Sequence, residues 1–280
     1  MTLETIRSIS GLRTRVGAWR KTGLSVGMVP TMGALHAGHL ALIEAAKRQT
    51  DRVIVTLFVN PTQFAPTEDL SAYPRNEEAD RQKLAALGVN LLFAPPAEEM
   101  YPRGFETTIV VGGPSAELET EFRPHFFRGV ATIVGKLLIA GLPDSAFFGE
   151  KDFQQLLVVK KLVRDLDIPT EIVGCPTVRE ADGLALSSRN AYLSPRERTL
   201  APQLYATLQN VAARLRADEL ASVALAEARE TLAAAGFAVD YLEVRDAETL
   251  ALVVNIGSEP LRVLVAARLG KTRLIDNIAV

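Results

Sequence analysis

The sequence predicts an α/β protein: a doubly wound parallel sheet followed by a smaller C-terminal α+β domain. Continuous apolar, β-branched runs such as 53–59 have the pattern of parallel strands covered on both faces. Such runs alternate with segments of helical apolar spacing up to Pro176, which favours right-handed β-α-β crossovers. Beyond Pro176 polar and small residues dominate, and later strands alternate apolar with polar residues. We therefore predict two domains, 1–176 and 177–280.

Each element of the first domain follows from its local pattern. Residues 6–20 carry an apolar stripe at helical spacing, and 24–29 and 53–59 are apolar runs typical of buried strands. Asn76 is the expected N-cap of a helix that Gly88 ends. The remaining predicted elements are strands at 89–93, 107–111, 145–148 and 171–173, and helices at 130–140 and 153–166.

The second domain opens with a strong helix start, because Ser194 suits the N-cap and Pro195 the first helical position. Two helices filled mainly by Ala and Leu are expected up to about residue 235. Strands are expected at 239–244, 261–265 and 272–278. These elements together predict a small α+β domain.

Composition excludes several classes of protein. Of the 280 residues, 48% are hydrophobic and 23% charged, and the formal net charge of −2 gives no basic field for nucleic acid or an anionic membrane. The single cysteine excludes an intrachain disulfide and fits a reducing compartment. Charges interrupt the N-terminus too early for a signal peptide, and no apolar run has transmembrane length. We expect a cytoplasmic protein without nucleic-acid or membrane partners.

The segment 28–39 lies between a predicted strand and a predicted helix and holds two of the three histidines, His36 and His39. Gly33 and Gly38 permit tight turns and close approach of a ligand to the backbone. The helix that follows offers N–H groups and a positive dipole end to phosphate. This turn predicts a nucleoside triphosphate site. Two zinc ligands are an alternative that lacks a third ligand nearby, and capping or surface histidines are another.

Two further segments have residues suited to phosphate. Gly149-Glu150-Lys151-Asp152 follows a predicted strand, and its lysine can neutralise phosphate or carboxylate; the alternative is an ordinary charged loop capped by Asp152. Leu186-Ser187-Ser188-Arg189 places two hydroxyls and a cation in a loop able to close over a triphosphate, or forms a polar linker. The neutral amides of Gln63 and Gln155 are suited to holding a small hydroxy acid.

Five ordered segments together resemble one known family. They are 30–39, 58–64, 73–75, 148–155 and 186–190. The first and last resemble the HIGH-type nucleotidylyl transferase superfamily, and all five resemble the pantothenate synthetase, or pantoate–β-alanine ligase, family. The resemblance implies a Rossmann-like domain with a C-terminal lid. It also implies ATP-dependent condensation of (R)-pantoate with β-alanine to pantothenate, AMP and pyrophosphate through a pantoyl adenylate.

The resemblance also implies residue roles. His39 matches the proton donor, His36 lies beside it on the phosphates, and Lys151 and Arg189 carry the phosphate charge. Gln63 and Gln155 match the pantoate ligands, with Gln63 also by the β-alanine path. The ATP-binding set is Met32, Gly33, Ala34, Leu35, His36, Ala37, Gly38, His39, Gly149, Glu150, Lys151, Asp152, Val178, Leu186, Ser187, Ser188 and Arg189.

Because a carboxylate must approach a polyanion, we also expect a magnesium ion, and the family suggests a homodimer. Asp80, in the helix after 73–75, is the predicted magnesium-side carboxylate, with a solvated helical aspartate as the alternative. The chain departs from the family at 123–127, where Arg-Pro-His-Phe-Phe replaces the common Arg-Pro-Gly-His-Phe. We predict a solvated loop there and assign no role to His125 or Phe126.

Two other functions stay open at this point. A nucleotidylyl transferase that acts on a phosphate ester would need a basic second pocket, whereas Gln63 and Gln155 favour an uncharged polyol end. A nucleotide-binding regulatory module would keep the histidine turn but would not need the Ser-Ser-Arg loop. The C-terminal domain could also be an interaction module, although its place after that loop favours a lid.

Overall fold

The computed structural model describes residues 3–64, 70, 75–253, 257 and 259–280. The chain forms two compact units. The first comprises Met1–Glu150 and Val158–Pro176, and the second comprises Lys151–Leu157 and Thr177–Val280. Tyr73 and Pro74, which belong to one of the family-like segments, lie outside the described residues.

The first unit holds a six-stranded sheet in which every strand pair is parallel, as predicted. Its strands are β1 (Glu4–Ile6), β2 (Val26–Thr31), β3 (Arg52–Leu57), β4 (Leu91–Phe93), β5 (Ser145–Gly149) and β6 (Glu171–Cys175). The spatial order is β1-β4-β3-β2-β5-β6, so the direction of winding reverses between β2 and β5. Open α/β sheets bind ligands at the carboxyl ends of strands beside such a reversal.

Helices cover both faces of this sheet. They are α1 (Ile9–Lys21), α2 (Ala37–Gln49), α3 (Glu77–Ala86), α4 (Ala97–Met100), α5 (Glu119–Phe122), α6 (Phe126–Gly141) and α7 (Phe153–Asp165), whose first residues belong to the second unit. Val29 of β2 lies in the core cluster that includes α2 and α3 residues. Met28 faces the opposite way, where its side chain abuts Gly141 of α6. Alternate residues of one strand are therefore buried on opposite faces.

Three predictions of local structure were wrong. The helix predicted from residue 6 begins at Ile9, because Ile6 belongs to β1, which pairs with β4. Residues 107–111 are in no strand; Ile109 donates its N–H to Thr132 Oγ1 (2.9 Å) instead. The helix predicted from residue 130 begins at Phe126, since two aromatic residues extend its apolar face.

The second unit is a small α+β fold, as predicted. Its sheet is antiparallel and consists of β7 (Phe237–Asp246), β8 (Leu261–Leu269) and β9 (Thr272–Ala279), in that spatial order. Among the described residues of this unit, the sheet is accompanied by three α-helices rather than the expected two: α8 (Pro195–Leu200), α9 (Gln203–Arg216) and α10 (Ala221–Ala234). Ser194 caps α8 with a reciprocal bond to Glu197. Leu and Ala of α9 and α10 form one core with the apolar face of the sheet. Within the described ranges, no helix has the length and apolarity to span a membrane.

Candidate active site

The histidine turn joins β2 to α2 in a strained, hydrogen-bonded conformation. Gly33 and Ala34 both have positive φ, 89° and 52°. Thr31 fixes the start of the turn: its hydroxyl donates to Thr56 O (2.6 Å) and accepts from the Gly33 N–H (3.2 Å). A left-handed alanine costs conformational energy, so the surrounding contacts must hold it there. The turn is therefore fixed by its neighbours and is not a loose loop.

The two histidines cap α2 reciprocally. His36 is the N-cap, and its Nδ1 accepts the Gly38 N–H (3.2 Å), while His39 Nδ1 accepts the His36 N–H (3.4 Å). Because Nδ1 is the acceptor in both rings, the proton of each neutral imidazole is on Nε2. The ring centroids lie 4.1 Å apart. Two N–H donors thus stand side by side at the N-terminus of a helix, a suitable arrangement for anionic oxygens.

Asp80 holds this turn from α3. One carboxylate oxygen accepts the Ala34 N–H (2.8 Å) and the other accepts the Leu35 N–H (2.9 Å). The residue is only 2% exposed, which excludes the solvated helical aspartate. No group of three His, Cys, Asp or Glu side chains within the described part could hold a metal ion. Both carboxylate oxygens of Asp80 thus accept hydrogen bonds from backbone amides, in contrast to the predicted magnesium role.

Gln63 is buried next to the turn, in the short 3₁₀ segment Pro61–Gln63 after β3. Its Oε1 accepts from Asn60 Nδ2 (3.1 Å), and its Nε2 donates to Met32 Sδ (2.8 Å). Asn60 is itself fixed, since Tyr101 donates to Asn60 Oδ1 (2.7 Å). Burial raises the pKa of the Tyr101 phenol, which keeps this donor protonated. The network orients the Gln63 amide with its N–H groups towards Met32.

The segment 123–127 is not the predicted solvated loop. The Arg123 side chain is 14% exposed, and it pairs with the buried Glu119 carboxylate (3.3 Å). Its guanidinium also lies over the Phe126 ring (3.9 Å) and donates to Gln63 O (3.4 Å). Phe126, which replaces the common histidine, therefore supports the arginine. Sequence reasoning missed Arg123 because a lone basic residue in a polar stretch carries no signal of burial.

A second contact explains how α6 reaches Gln63. A Cβ at Gly129 would lie 2.6 Å from Thr62 O and 2.7 Å from Gln63 N. Only glycine permits this approach of the helix to the 3₁₀ segment, and Asn60 Nδ2 donates to Gly129 O (3.1 Å) across it. Helix α6 thus sets the position of the Gln63 backbone.

The chain after β5 supplies the next predicted residues. Gly149 ends the strand beside β2, at the reversal of the sheet, and Glu150 follows it. Cys175 ends the neighbouring strand β6 and is buried. The pKa of its thiol is raised, mainly by this burial and to a lesser extent by the negative charge of Glu150. A buried thiol with a raised pKa is a poor nucleophile and a poor metal ligand.

In the second unit, Lys151 is held by its backbone and side chain. Asn277 of β9 donates to Lys151 O (2.9 Å), and the ammonium group lies 3.8 Å from the Asp152 carboxylate. Asn277 Oδ1 in turn accepts from Arg262, whose guanidinium lies over the Phe153 ring (4.1 Å). Gln155 is half-buried two residues further along α7. Segment 151–157 is therefore fixed against β8 and β9.

The segment from Val178 to Leu186 folds back on itself, with the Leu186 N–H donating to Val178 O (3.0 Å). Arg179 secures it through two bonds to the buried Asp276 carboxylate (2.6 and 2.9 Å) and by lying over the Tyr205 ring (3.5 Å). This structure excludes an unstructured polar linker. The predicted residues Val178 and Leu186 are therefore neighbours.

The Ser-Ser-Arg segment follows directly. Ser187 caps a 3₁₀ helix, Ser188–Tyr192, by accepting the Arg189 N–H (3.2 Å), and the Arg189 side chain is exposed to solvent. Asn190 Nδ2 donates to Glu180 (3.3 Å) and to Ala185 O (3.1 Å), which ties the segment to the preceding turn. In the second unit, the predicted residues Val178 and 186–189 therefore lie in one hydrogen-bonded segment. The other three predicted residues lie elsewhere in this unit: Lys151 and Asp152 on the turn before α7, and Gln155 within α7.

Comparison with known proteins gives a consistent result. The family model for pantoate-beta-alanine ligase matches residues 4–279. Pantothenate synthetase 2 of Bradyrhizobium diazoefficiens is 56% identical over 275 residues, 98% of this chain and 97% of the relative. Pantothenate synthetase of Paramagnetospirillum magneticum is 56% identical over 279 residues, 99% and 98% of the two chains.

Solved structures agree. The crystal structure of pantothenate synthetase from Thermus thermophilus has a TM-score of 0.91, 47% identity and 99% coverage of both chains. That of the pantoate-beta-alanine ligase from Francisella tularensis, complexed with beta-gamma ATP and beta-alanine, has a TM-score of 0.84 and 35% identity over 99% of this chain and 97% of that one. The chain therefore belongs to the pantoate–β-alanine ligase family, whose members condense pantoate with β-alanine to give pantothenate in an ATP-dependent reaction.

Proposed function

We propose that this chain binds ATP at the histidine turn and activates the pantoate carboxylate there. The observation that carries the proposal is the reciprocal capping of α2, which leaves the ring proton of His36 and of His39 on Nε2. Each neutral imidazole then offers an N–H donor to a phosphate oxygen, next to the positive end of a 13-residue helix.

The proposed chemistry has two steps. In the first, a pantoate carboxylate oxygen forms a bond to the α-phosphorus of ATP. The bond between the α-phosphorus and the oxygen that bridges it to the β-phosphate breaks, and pyrophosphate is released. In the second, the β-alanine nitrogen attacks the acyl carbon, loses a proton, and AMP leaves with the former carboxylate oxygen. His39 acts as proton donor to the leaving phosphate, and His36 holds the phosphates beside it.

Charge is the main obstacle to the first step, because a carboxylate approaches a polyanion. We assign the compensating charge to Lys151 and Arg189, with the hydroxyls of Ser187 and Ser188 as further donors. The rest of the proposed nucleotide site is 32–39, Gly149, Glu150, Asp152, Val178 and Leu186. The support from this chain is that Lys151 and the 186–189 segment are each held by bonds within the second unit. We also propose that 1–176 acts as the catalytic domain and 177–280 as the lid.

Gln63 and Gln155 are the proposed pantoate ligands, and Gln63 also faces the path of β-alanine. The fixed orientation of the Gln63 amide supports this role, because its Nε2 is a donor suited to a carboxylate or hydroxyl oxygen. A nucleotidylyl transferase acting on a phosphate ester would need a cation in this position, so the neutral amide favours the ligase.

Magnesium is proposed as an ion that arrives with ATP. When bound, it would neutralise charge on the triphosphate. Asp80 already accepts two backbone N–H bonds, and the described residues contain no group of three His, Cys, Asp or Glu side chains that could hold a metal ion. No protein ligand is therefore assigned to magnesium. Magnesium commonly keeps several waters and is held largely by substrate phosphates.

The chain is also proposed to act as a homodimer in the cytoplasm. The family resemblance supports the dimer, and the single cysteine supports a reducing compartment. Sedimentation velocity tests the dimer, since a monomer has a mass of 30.3 kDa and a dimer twice that. A species of monomer mass at working concentration would contradict it.

The experiment that tests the function is pyrophosphate release from ATP and magnesium. We expect release that depends on pantoate, and AMP and pantothenate that accumulate only once β-alanine is added. A folded protein that binds ATP but releases no pantoate-dependent pyrophosphate would contradict the proposal. It would favour instead a regulatory module or a transferase with a phosphate-ester acceptor.

A further inference from the structure

We infer that Asp80 and Lys83 of α3 are positioning residues that hold the histidine turn in its ATP-binding conformation, and that Asp80 does not act through magnesium. The inference rests on the proposed function, because it takes the turn to be the phosphate-binding element. Neither side chain is itself assigned a contact with substrate.

Together the two side chains bind three consecutive peptide groups of the turn. The Asp80 carboxylate accepts one N–H on each oxygen, from Ala34 (2.8 Å) and from Leu35 (2.9 Å). Lys83, one helical turn later, donates to the Leu35 carbonyl (2.6 Å). Its ammonium group also lies 3.8 Å from Asp80 Oδ1. Leu35 is therefore bound through both its N–H and its C=O.

The backbone that Asp80 and Lys83 bind includes the residue of the turn with the least favourable conformation. Ala34 has φ 52°, a left-handed conformation that a residue with a Cβ adopts at a cost. A Cβ at Gly33 would lie 3.2 Å from Asp80 Oδ2, so the carboxylate packs directly against the turn. Leu35 precedes His36, the N-cap of α2. Asp80 thus sets the conformation that delivers both histidines to the helix N-terminus.

The chemistry also separates this role from a metal role. Each oxygen of Asp80 faces a backbone amide, and the side chain belongs to a residue that is 2% exposed. Asparagine has the same shape but only one acceptor, so it would turn an NH₂ group towards one of the two N–H donors. Asp80→Asn therefore removes one of the two hydrogen bonds to the turn without creating a cavity. Lys83→Met removes only the bond to the Leu35 carbonyl.

The test measures nucleotide binding with and without metal. We expect Asp80→Asn to raise the Kd of a non-hydrolysable ATP analogue roughly ten- to a hundredfold, equally in EDTA and in saturating magnesium. The magnesium concentration for half-maximal activity should stay unchanged. Lys83→Met should give a smaller defect of the same kind. Glu78→Gln on the same helix, where the side chain is 69% exposed, is the matched control and should bind like the wild type.

Backbone hydrogen exchange gives a readout apart from activity. The amides of Ala34 and Leu35 should exchange faster in Asp80→Asn, while the interior of α3 stays protected. Normal metal-free binding combined with a shifted magnesium requirement would overturn the inference and support a metal ligand. Unchanged Ala34 and Leu35 exchange would also overturn it. If the wild type itself binds no ATP analogue, the proposed function fails instead. Lys83→Met supplies the test if Asp80→Asn does not fold.

Discussion

The imidazoles of His36 and His39 cap one helix together: each Nδ1 accepts a backbone N–H, and the ring centroids are 4.1 Å apart. This relationship gives each histidine two tasks. Nδ1 holds the turn, and Nε2 provides a hydrogen-bond donor for a ligand. The two tasks can be tested separately, because a substituted side chain can supply a hydrogen-bond acceptor in place of Nδ1 without supplying a donor in place of Nε2.

His39→Asn should retain the turn but lose activity. The asparagine oxygen takes the place of Nδ1 and can accept the His36 N–H, whereas nothing replaces Nε2. We expect kcat to fall about a hundredfold or more, with a melting temperature near that of the wild type. His39→Ala should lose both activity and stability. Equal activity in His39→Asn and the wild type would contradict the assignment of His39 as proton donor.

Gln63→Glu should selectively weaken pantoate binding. One carboxylate oxygen can still accept from Asn60, but the other replaces the N–H donor and repels the substrate carboxylate. Initial-rate kinetics should show a pantoate KM raised about tenfold to a hundredfold and an ATP KM close to that of the wild type. Gln203→Glu, exposed on α9, adds the same charge and should change neither constant. A rise in the ATP KM alone would reject Gln63 as a pantoate ligand.

Gly129→Ala should destabilise the first unit and disturb Gln63. The added Cβ would meet Thr62 O at 2.6 Å and Gln63 N at 2.7 Å, so α6 or the 3₁₀ segment must shift. We expect a loss of about 1–3 kcal/mol in urea denaturation and a raised pantoate KM. Gly17→Ala in α1, where nothing lies within 4 Å, is the matched control and should be neutral or stabilising by up to about 1 kcal/mol. Equal stability of the two variants would refute the steric argument.

Asp276→Asn should destabilise the second unit. It leaves the largely buried Arg179 guanidinium without the carboxylate that accepts two of its bonds. Breaking such a pair costs about 3 kcal/mol, measurable by urea denaturation. Because Arg179 holds the turn that carries Val178 and Leu186, the ATP KM should rise as well. Asp165→Asn, which breaks the ion pair of an exposed carboxylate with the half-buried Lys161, should change stability little. A fully stable Asp276→Asn variant would contradict the role of this pair.

The stability of the protein should fall in acid, in part through Asp51. Hydrogen bonds from the Ser25 N–H and hydroxyl lower the pKa of the Asp51 carboxyl below its ordinary value of 3.8. A lowered folded-state pKa contributes stability above the unfolded value, and this is lost as pH falls through the folded value. Asp51→Asn should therefore melt below the wild type at pH 7, and the gap should close as the pH falls below the ordinary pKa of 3.8 and through the lower folded-state pKa. A gap that is constant with pH would contradict this linkage.

Much of the fold could be predicted because its signals are local. Apolar runs mark the buried strands, and Asn76 and Ser194 mark helix starts that the structure confirms. The errors arose where distant contacts decide. Glu4–Ile6 is a strand only because β4 lies beside it, and three residues are too few for a periodic signal. Residues 107–111 have strand propensity, but Ile109 bonds to a helical threonine instead.

The residues proposed to contact the substrates could be predicted from the sequence, but the residues that hold them in position could not. Two histidines between a strand and a helix are visible in the sequence, whereas Asp80 lies 45 and 46 positions from the amides it accepts. Arg123 and Asn60 likewise act through partners about sixty or more positions away, Gln63 O and Gly129 O. The spacing of residues in the sequence does not reveal hydrogen bonds between positions this far apart. Residues that touch the proposed substrates were therefore easier to find than residues that hold them in place.

The most direct test of the central claim follows the oxygen atoms. Pantoate labelled with ¹⁸O in its carboxylate is incubated with ATP, magnesium, β-alanine and the enzyme, and the products are analysed by mass spectrometry. Attack of the carboxylate on the α-phosphorus predicts one ¹⁸O in AMP and none in pyrophosphate. Label in inorganic phosphate together with ADP, or unlabelled AMP, would contradict the acyl-adenylate mechanism.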